Sequence, residues 1–260
     1  MPGVVKSFVY FPTAVFLLMG VGFFICYGIA VTSGHVVSPP LWPYVSNTGG
    51  TPPESCLFTL FLTWAAIFLL LTMFSYYKFV DHHIPGSRVN TAAIIIGGIS
   101  CFGLTMVGAF QWNLVPVPHW IGAGIAFVGS VIYSWLVFIL SCRLATHKTV
   151  VALRFLLAAT GTASGVVFLI GIILARIDRS SETLYMVATV SEWFLVYSAI
   201  IYLFTFAYEL RNVSSLNVGH ITNSNRVATD RNMQGNTAGS SSNSRTLSVK
   251  MGYVNTGCRI

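Results

Sequence analysis

Residues 56–77 read CLFTLFLTWAAIFLLLTMFSYY, a run without a single charged side chain. An α-helix needs about 20 mostly apolar residues to cross the hydrocarbon core of a bilayer, and this run meets that length. A helix on the surface of a water-soluble protein would carry one clearly polar face, which this run lacks. The run is therefore predicted to be a transmembrane helix.

Five similar runs lie before and after it, so the whole chain has the character of a membrane protein. Charged residues make up 8% of the chain, hydrophobic residues make up 55%, and the mean hydropathy is +0.74. We predict an all-α polytopic membrane protein, a six-helix transmembrane bundle with a disordered cytoplasmic tail. The predicted spans are Phe8–Val31, Cys56–Tyr77, Ala92–Phe110, Trp120–Ser141, Val151–Ala175 and Tyr185–Tyr208.

The first stretch is predicted to stay in the chain as a span. Small residues at 28–30 offer a cleavage point, but the apolar run is much longer than the core of about 7–15 residues in a secretory signal.

The loops indicate an orientation for this bundle. Lys and Arg occur in the amino terminus, in the second and fourth loops and in the tail, whereas residues 32–55 and 111–119 contain neither. The fifth loop is ambiguous, because it holds Arg176 and Arg179 against Asp178 and Glu182. Because basic residues collect in cytoplasmic loops, both termini are predicted to lie in the cytoplasm. The net charge of +7 has the same explanation, and no basic patch with interleaved aromatics indicates nucleic-acid binding.

The composition changes after the last stretch, which divides the chain into two parts. Residues 1–211 form the predicted membrane domain, and residues 212–260 are rich in Asn, Ser, Gly and Thr. Such a segment has too few apolar residues to offset the entropy of ordering, so it is predicted to be disordered.

The first loop is expected to be ordered against the helix ends. It is rich in proline and glycine, and Trp42 and Tyr44 can pack on the bundle. Pro52, Pro53 and Glu54 precede an apolar run, so on the sequence alone they form a helix start with a carboxylate near the positive end of the helix dipole.

Glu192 is the ionisable residue that lies clearly inside a predicted span. An unpaired carboxylate there is costly, so Glu192 is expected to face the bundle interior, either as a functional site or as a structural hydrogen-bond node. Its candidate partners are Gln111, Asn113, His119 and Arg176. At the opposite end of the bundle, Arg154 and Glu209 are expected to form at most a weak ion pair at the rim.

The sequence offers little chemistry for catalysis or for metal binding. His82 and His83 are adjacent and point in different directions, and no nucleophile elbow, metalloprotease motif or phosphate loop is present. We therefore predict no enzyme activity, no metal and no cofactor. A Cys26–Cys56 disulfide is conceivable, but ordinary thiols are favoured. Cys142 is a candidate for palmitoylation.

Gly161 and Gly165 form a small-residue motif in the fifth stretch. Small residues let two helices approach closely in lipid. The motif therefore predicts either packing within one bundle or a homo-oligomer.

Several segments together resemble the family of damage-regulated autophagy modulators (DRAM) and the related transmembrane-protein-150 family, both of the Frag/DRAM/Sfk group. In loop one these are Tyr44, Gly49, Pro52, Pro53 and Glu54 with their neighbours. The other segments are GAFQ at 108–111, SEW at 191–193 and TFAYE at 205–209. Asn47 and Ala109 depart from the family pattern, which usually has Asp and Asn there.

The resemblance implies a six-span regulatory protein of endolysosomal or plasma membranes. DRAM members promote autophagy, and the 150-type members help to organise phosphatidylinositol 4-kinase. Loop one is typical of the first branch, and the start of the second span and the closing segment are typical of the second. The family has no established catalytic residue to transfer.

Three functions remain open on this basis. The first is a non-enzymatic regulator that binds membrane lipids or a protein partner such as a phosphoinositide kinase complex. The second is a lipid-handling protein, scramblase-like or a lipid-remodelling factor, with a polar groove near Glu192. The third is a channel or its accessory subunit, although the spans carry only scattered polar residues.

Overall fold

The computed structural model describes residues 7–36, 42–211, 213–216 and 221–223. Within them, six helical segments are long and apolar enough to cross a membrane. Each predicted stretch corresponds to one of them, so the all-α, six-span prediction is confirmed. The segments are Tyr10–Thr32, Glu54–His83, Arg88–Ala109, Pro116–Arg143, Lys148–Ile177 and Glu182–Leu210.

The first segment is continuous but not uniform. It consists of α1 (Tyr10–Val15), a π-helical segment (Phe16–Val21) and α2 (Gly22–Thr32), preceded by the 3-10 turn Ser7–Val9. In a π-helix the backbone hydrogen bonds skip one residue further than in an α-helix. The Tyr197 hydroxyl donates a hydrogen bond of 2.6 Å to the Gly20 carbonyl in this segment, which ties it to the last span.

The next four segments are single helices, and the last segment is broken near its end. Their bounds are α3 (Glu54–His83), α4 (Arg88–Ala109), α5 (Pro116–Arg143), α6 (Lys148–Ile177), α7 (Glu182–Phe204) and α8 (Ala207–Leu210). Local signals explain where they begin. Ser87 and Ser181 accept hydrogen bonds from backbone amides in the first turns of α4 and α7. Proline at the first position of α5 costs no helical hydrogen bond.

The helices pack in an order that leaves a weak seam between α5 and α6. The first span packs on α3 and α7, α3 on α4, α4 along α5, and α6 along α7. Between α5 and α6 the packing is much looser than between either helix and its other neighbour. The last span is the centre of the bundle, because 61% of its most apolar window is buried, against 17% for α6.

Small residues make the tight helix pairs possible. A Cβ atom built on Gly103 of α4 would lie 2.7 Å from the backbone of α5. Gly161 and Gly165 of α6 face Ser198 and Leu195 of α7, so within one chain the small-residue motif serves internal packing. A homo-oligomer through these two glycines stays a prediction.

Beyond α8 the chain forms a small antiparallel pair of strands, β1 (Val213–Leu216) and β2 (Ile221–Asn223). Val213 is 2% exposed and belongs to the hydrophobic core. Both strands fall inside residues 212–260, for which the sequence indicates disorder. The rest of that segment lies outside the described residues.

Candidate functional site

Loop one, which joins the first span to α3, packs across one end of the bundle. Its middle forms one 3-10 turn, Ser46–Gly49. The packing needs a glycine at residue 49, because a Cβ atom there would overlap the buried ring of Phe58. The expectation of an ordered loop is confirmed for residues 42–53, and residues 37–41 lie outside the described part of the chain.

Glu192 holds this loop from inside the bundle. Its side chain is buried, and Oε2 accepts a hydrogen bond of 2.7 Å from the backbone amide of Val45. The amide of Ser46 also faces the carboxylate. A carboxylate can accept several backbone N–H groups, and here it satisfies donors of a loop that has few partners of its own.

Trp193, the next residue, holds the same loop at a second point. Its Nε1 donates a hydrogen bond of 2.9 Å to the Pro43 carbonyl. Adjacent helical residues point about 100° apart, so both can reach loop one only because the loop curves around α7. Rings complete the contact, since Trp42 lies 5.0 Å from Tyr27 and 5.7 Å from Trp193 between centroids.

Tyr44 closes the other side of the loop. Its ring packs edge-on against Tyr185 at 5.2 Å. Burial, with smaller contributions from Tyr185 and Glu192, raises the pKa of Tyr44 to about 12, so its hydroxyl stays protonated at physiological pH. We refer to Trp42–Ser46 together with Tyr185, Glu192 and Trp193 as the loop-one junction.

Glu54 has a different role from the one that the sequence indicates. It is the first residue of α3, as expected, but its side chain is completely buried. Its Oε1 lies 2.7 Å from Nδ1 of His35, a residue that the sequence analysis did not single out. His35 is a lone histidine in a loop without a motif, so no local pattern marks it.

The predicted polar node is only partly brought together. Glu192 and His119 line the same cavity at the loop-one end. His119 is held by the Phe110 carbonyl at 2.7 Å from Nδ1. Gln111 lies in the turn before α5, where its carbonyl accepts backbone bonds, and it does not line this cavity. The partners of Glu192 are thus backbone amides of loop one.

This space, the junction cavity, has a volume of about 370 Å³. It lies between loop one and the ends of α5, α6 and α7, and it combines aromatic walls with charged groups. Its lining includes Tyr44, Asn47, Trp112, His119, Trp120, Arg176, Arg179, Tyr185 and Glu192. Such a chamber can accept a polar or charged group of modest size.

A second buried polar centre lies at the opposite end of the bundle. Nη1 and Nη2 of Arg154 bind the two carboxylate oxygens of Glu209 at 2.7 and 2.9 Å. The guanidinium also donates to Ser141 at 2.7 Å and to Thr205 at 2.9 Å.

The prediction of a weak ion pair at the rim is therefore wrong. Arg154 and Glu209 are 0% and 5% exposed. The reason is the break after α7, which turns α8 so that Glu209 faces α6 and not solvent. A buried pair of this kind makes the loss of either partner costly.

None of the four cysteines within the described residues is in a disulfide bond. Cys26 and Cys101 are buried, whereas Cys56 is exposed, and the disulfide between Cys26 and Cys56 is not formed. Palmitoylation of Cys142 stays a prediction. Within the described residues no three His, Cys, Asp or Glu side chains lie close enough to hold a metal ion.

Comparison with known proteins gives the chain a family. The model of the Frag1/DRAM/Sfk1/Cwh43P N-terminal domain matches residues 7–213, which is the whole bundle up to the first strand. The chain belongs to the Frag1/DRAM/Sfk1/Cwh43P family. Its relatives come from both branches that the sequence resembles, and no solved structure matches the chain.

Human DNA damage-regulated autophagy modulator protein 1 is 31% identical over 207 residues, which cover 74% of this chain and 86% of the relative. Transmembrane protein 150A of Xenopus laevis is 30% identical over 221 residues, covering 75% of this chain and 80% of the relative. Mouse DNA damage-regulated autophagy modulator protein 2 is 34% identical over 139 residues, about half of each chain.

Two of the segments that carry the resemblance to the Frag1/DRAM/Sfk1/Cwh43P family, loop one and SEW at 191–193, meet in space. Tyr44, Val45 and Ser46 belong to the loop-one junction with Glu192 and Trp193, and Glu54 begins α3 a few residues further along the chain. Asn47, which replaces the usual Asp, lines the junction cavity together with Tyr185. In this protein the wall of the junction cavity therefore carries an uncharged amide at residue 47, where the family pattern usually has a second carboxyl group besides Glu192.

Proposed function

We propose that this protein is a non-enzymatic regulatory multi-pass membrane protein that modulates autophagy at an endolysosomal or plasma membrane. The observation that carries the proposal is the similarity to DNA damage-regulated autophagy modulator protein 1 along nearly its whole length. Similarity over a complete bundle supports a shared role better than a shared motif does, although function must still be argued from the site.

The geometry is consistent with a binding role. Two of the buried ionisable groups, Glu192 and Arg154, are each engaged by other parts of the same chain. These contacts fix loop one at one end and the last helical turn at the other. A bundle whose loop one and last helical turn are both held in place can present defined surfaces to lipids or to a protein partner.

The proposed partners are membrane lipids and a protein complex such as that of a phosphoinositide kinase. The proposed orientation has both termini in the cytoplasm, so that loop one faces the lumen or the exterior. The alternation of basic and non-basic loops supports this orientation.

Autophagic flux in cells that lack the protein tests the proposal. Flux should fall, re-expression of the wild type should restore it, and Glu192→Leu should restore it poorly because loop one loses its anchor. Phe194→Leu is the matched control, because Phe194 lies on the same helix but is 59% exposed. Normal flux without the protein, together with lipid movement by the purified protein in liposomes, would instead favour the lipid-handling function.

A further inference from the structure

The weak seam between α5 and α6 is an apolar groove of about 600 Å³ on the membrane-facing surface. Small residues on both helices create it, among them Gly124 on α5 and Thr162 and Gly165 on α6. A Cβ atom built on Gly124 would have no neighbour within 4 Å. Within the described residues, nothing from the protein itself fills this space.

At the loop-one end of the bundle, this α5–α6 groove is continuous with the junction cavity. The two spaces share Trp120, Phe127, Phe168 and Arg176 in their walls. An occupant could therefore extend from the apolar slot between the helices into the polar chamber beneath loop one. Its two ends would meet very different surroundings.

The polar end of this space carries unpaired positive charge. Arg176 lies 4.4 Å above the ring of Trp120, and Arg179 lines the chamber beside it. The ion pairs among the described residues are formed by His35 with Glu54 and by Arg154 with Glu209, so neither Arg176 nor Arg179 has a carboxylate partner.

The nearby carboxylates form no ion pair with these two arginines. Asp178 and Glu182 are the acidic residues of this loop, but neither lines the chamber and neither forms an ion pair with Arg176 or Arg179. Asp178 accepts hydrogen bonds from Ser180, which hold the pKa of Asp178 below its usual range, so Asp178 stays ionised. Glu192 lies on the inner wall and accepts the amide of Val45. The mouth of the chamber is thus left with two guanidinium groups that can bind an anion.

We propose that the groove and the chamber together hold one anionic phospholipid of the leaflet on the loop-one side. One acyl chain lies between α5 and α6, and the phosphate binds Arg176 and Arg179. Guanidinium groups bind phosphate through paired, charge-assisted hydrogen bonds. An acyl chain can fill a groove that is open to the bilayer without exposing apolar surface to water. An apolar groove with positive charge at one end only matches a phospholipid, which has an apolar acyl chain and a charged headgroup at one end.

Native mass spectrometry of the purified full chain tests this site independently of the regulatory role proposed above. Phosphatidylglycerol should bind at least about tenfold more tightly than phosphatidylcholine, and Arg176→Gln with Arg179→Gln should remove that preference. Arg88→Gln with Arg143→Gln is the matched control, because these arginines are exposed at the opposite end of the bundle. If the double variant fails to fold, Arg179→Gln alone serves, since Arg179 is exposed.

A second pair of variants tests the groove. Gly124→Leu should weaken the binding of both lipids, because the new side chain occupies the acyl slot. Gly98→Leu should leave it unchanged, since a Cβ atom there also meets open space but on α4. Glycerol 3-phosphate should not bind at the same concentrations.

Three results would overturn the proposal. If both lipids bind equally, and substitution of the two arginines changes nothing, then the arginines do not form an anion site. Wild-type binding by Gly124→Leu would remove the acyl site. Tight binding of glycerol 3-phosphate, or a dimer that Gly124→Leu dissociates, would assign the space to a soluble anion or to a second copy of the chain.

Discussion

At the scale of single residues, two side chains inside the bundle show opposite ways of burying a polar group. Glu192 accepts a hydrogen bond from the backbone of a loop, whereas Arg154 forms an ion pair with Glu209. Burying a polar group is tolerable only when its hydrogen bonds are replaced, and burying a charge requires a partner as well. The two sites should therefore respond differently to substitution.

Two replacements of Glu192 should show whether its hydrogen bond to loop one stabilises the protein. Glu192→Gln keeps an acceptor oxygen for the Val45 amide, so thermal stability in detergent should change little. Glu192→Leu leaves that buried donor unpaired, at a cost of about 1–3 kcal/mol. Full tolerance of leucine would remove Glu192 from the junction, and Phe194→Leu gives the baseline for a lipid-facing change on the same helix.

The Arg154–Glu209 pair should show strong coupling in a double-mutant cycle. Glu209→Leu leaves a buried guanidinium without its counter-charge, and Arg154→Leu leaves the carboxylate, each costing about 3–5 kcal/mol. The combined Arg154→Leu, Glu209→Leu variant should be more stable than either single variant by denaturant unfolding. Simple additivity of the two losses would mean that the pair contributes nothing as a pair.

At the scale of elements, loop one behaves as part of the bundle. It is attached to α7 by the Glu192 and Trp193 hydrogen bonds and to α3 by the close approach of Gly49 to Phe58. Because these contacts lie on two different helices, the loop links the start of α3 to the beginning of the last span. Weakening one attachment should loosen the loop without unfolding the helices.

Gly49→Ala should loosen loop one. The added methyl group overlaps the ring of Phe58, and relief of such a clash in a packed site costs about 1–3 kcal/mol. Limited proteolysis from the loop-one side should then cleave the loop faster than in the wild type. Gly28→Ala is the matched control, since its methyl group meets open space, and equal cleavage of both variants would contradict the expectation.

At the scale of the whole molecule, the ordered unit extends past the last transmembrane segment. Val213 is buried in the core, and the family model also ends at residue 213. The boundary of the membrane domain drawn from hydropathy, at Arg211, therefore excludes a residue that packs on the helices. The strands β1 and β2 place this residue after the turn that follows α8.

Two truncations separate the packed part of the tail from the rest. Ending the chain after Arg211 should lower stability by about 1.5–3 kcal/mol, the value of burying one valine side chain. Ending it after Asn223 should leave the detergent melting temperature unchanged, since the composition of the removed segment predicts disorder. Equal stability of both truncated chains would show that Val213 contributes nothing.

The orientation of the whole bundle can be measured directly. Tags at residue 3 and after Asn223 should both be accessible to protease from the cytoplasmic side alone, because basic loops are retained there. Glycosylation of Asn212 in cells, at its Asn-Val-Ser site, would place the carboxyl terminus on the wrong side and contradict this orientation.

The amino-acid sequence by itself determined the class of this protein, the number of its spans and their approximate bounds. Hydropathy is a local property, and a helix that crosses lipid must be apolar along its own length. The helices nevertheless extend a turn or more beyond several stretches, as α3 does to His83, because a helix continues into the interface where polar residues are tolerated.

The tertiary structure alone decided which polar groups meet. Glu192 was recognisable from its place in an apolar run, but its partner is a backbone amide 147 positions away, and Gln111 is not involved. Arg154 and Glu209 lie at the ends of their apolar stretches, and only the break before α8 buries them together. Such pairings depend on how helices pack and turn, which no local pattern of residues encodes.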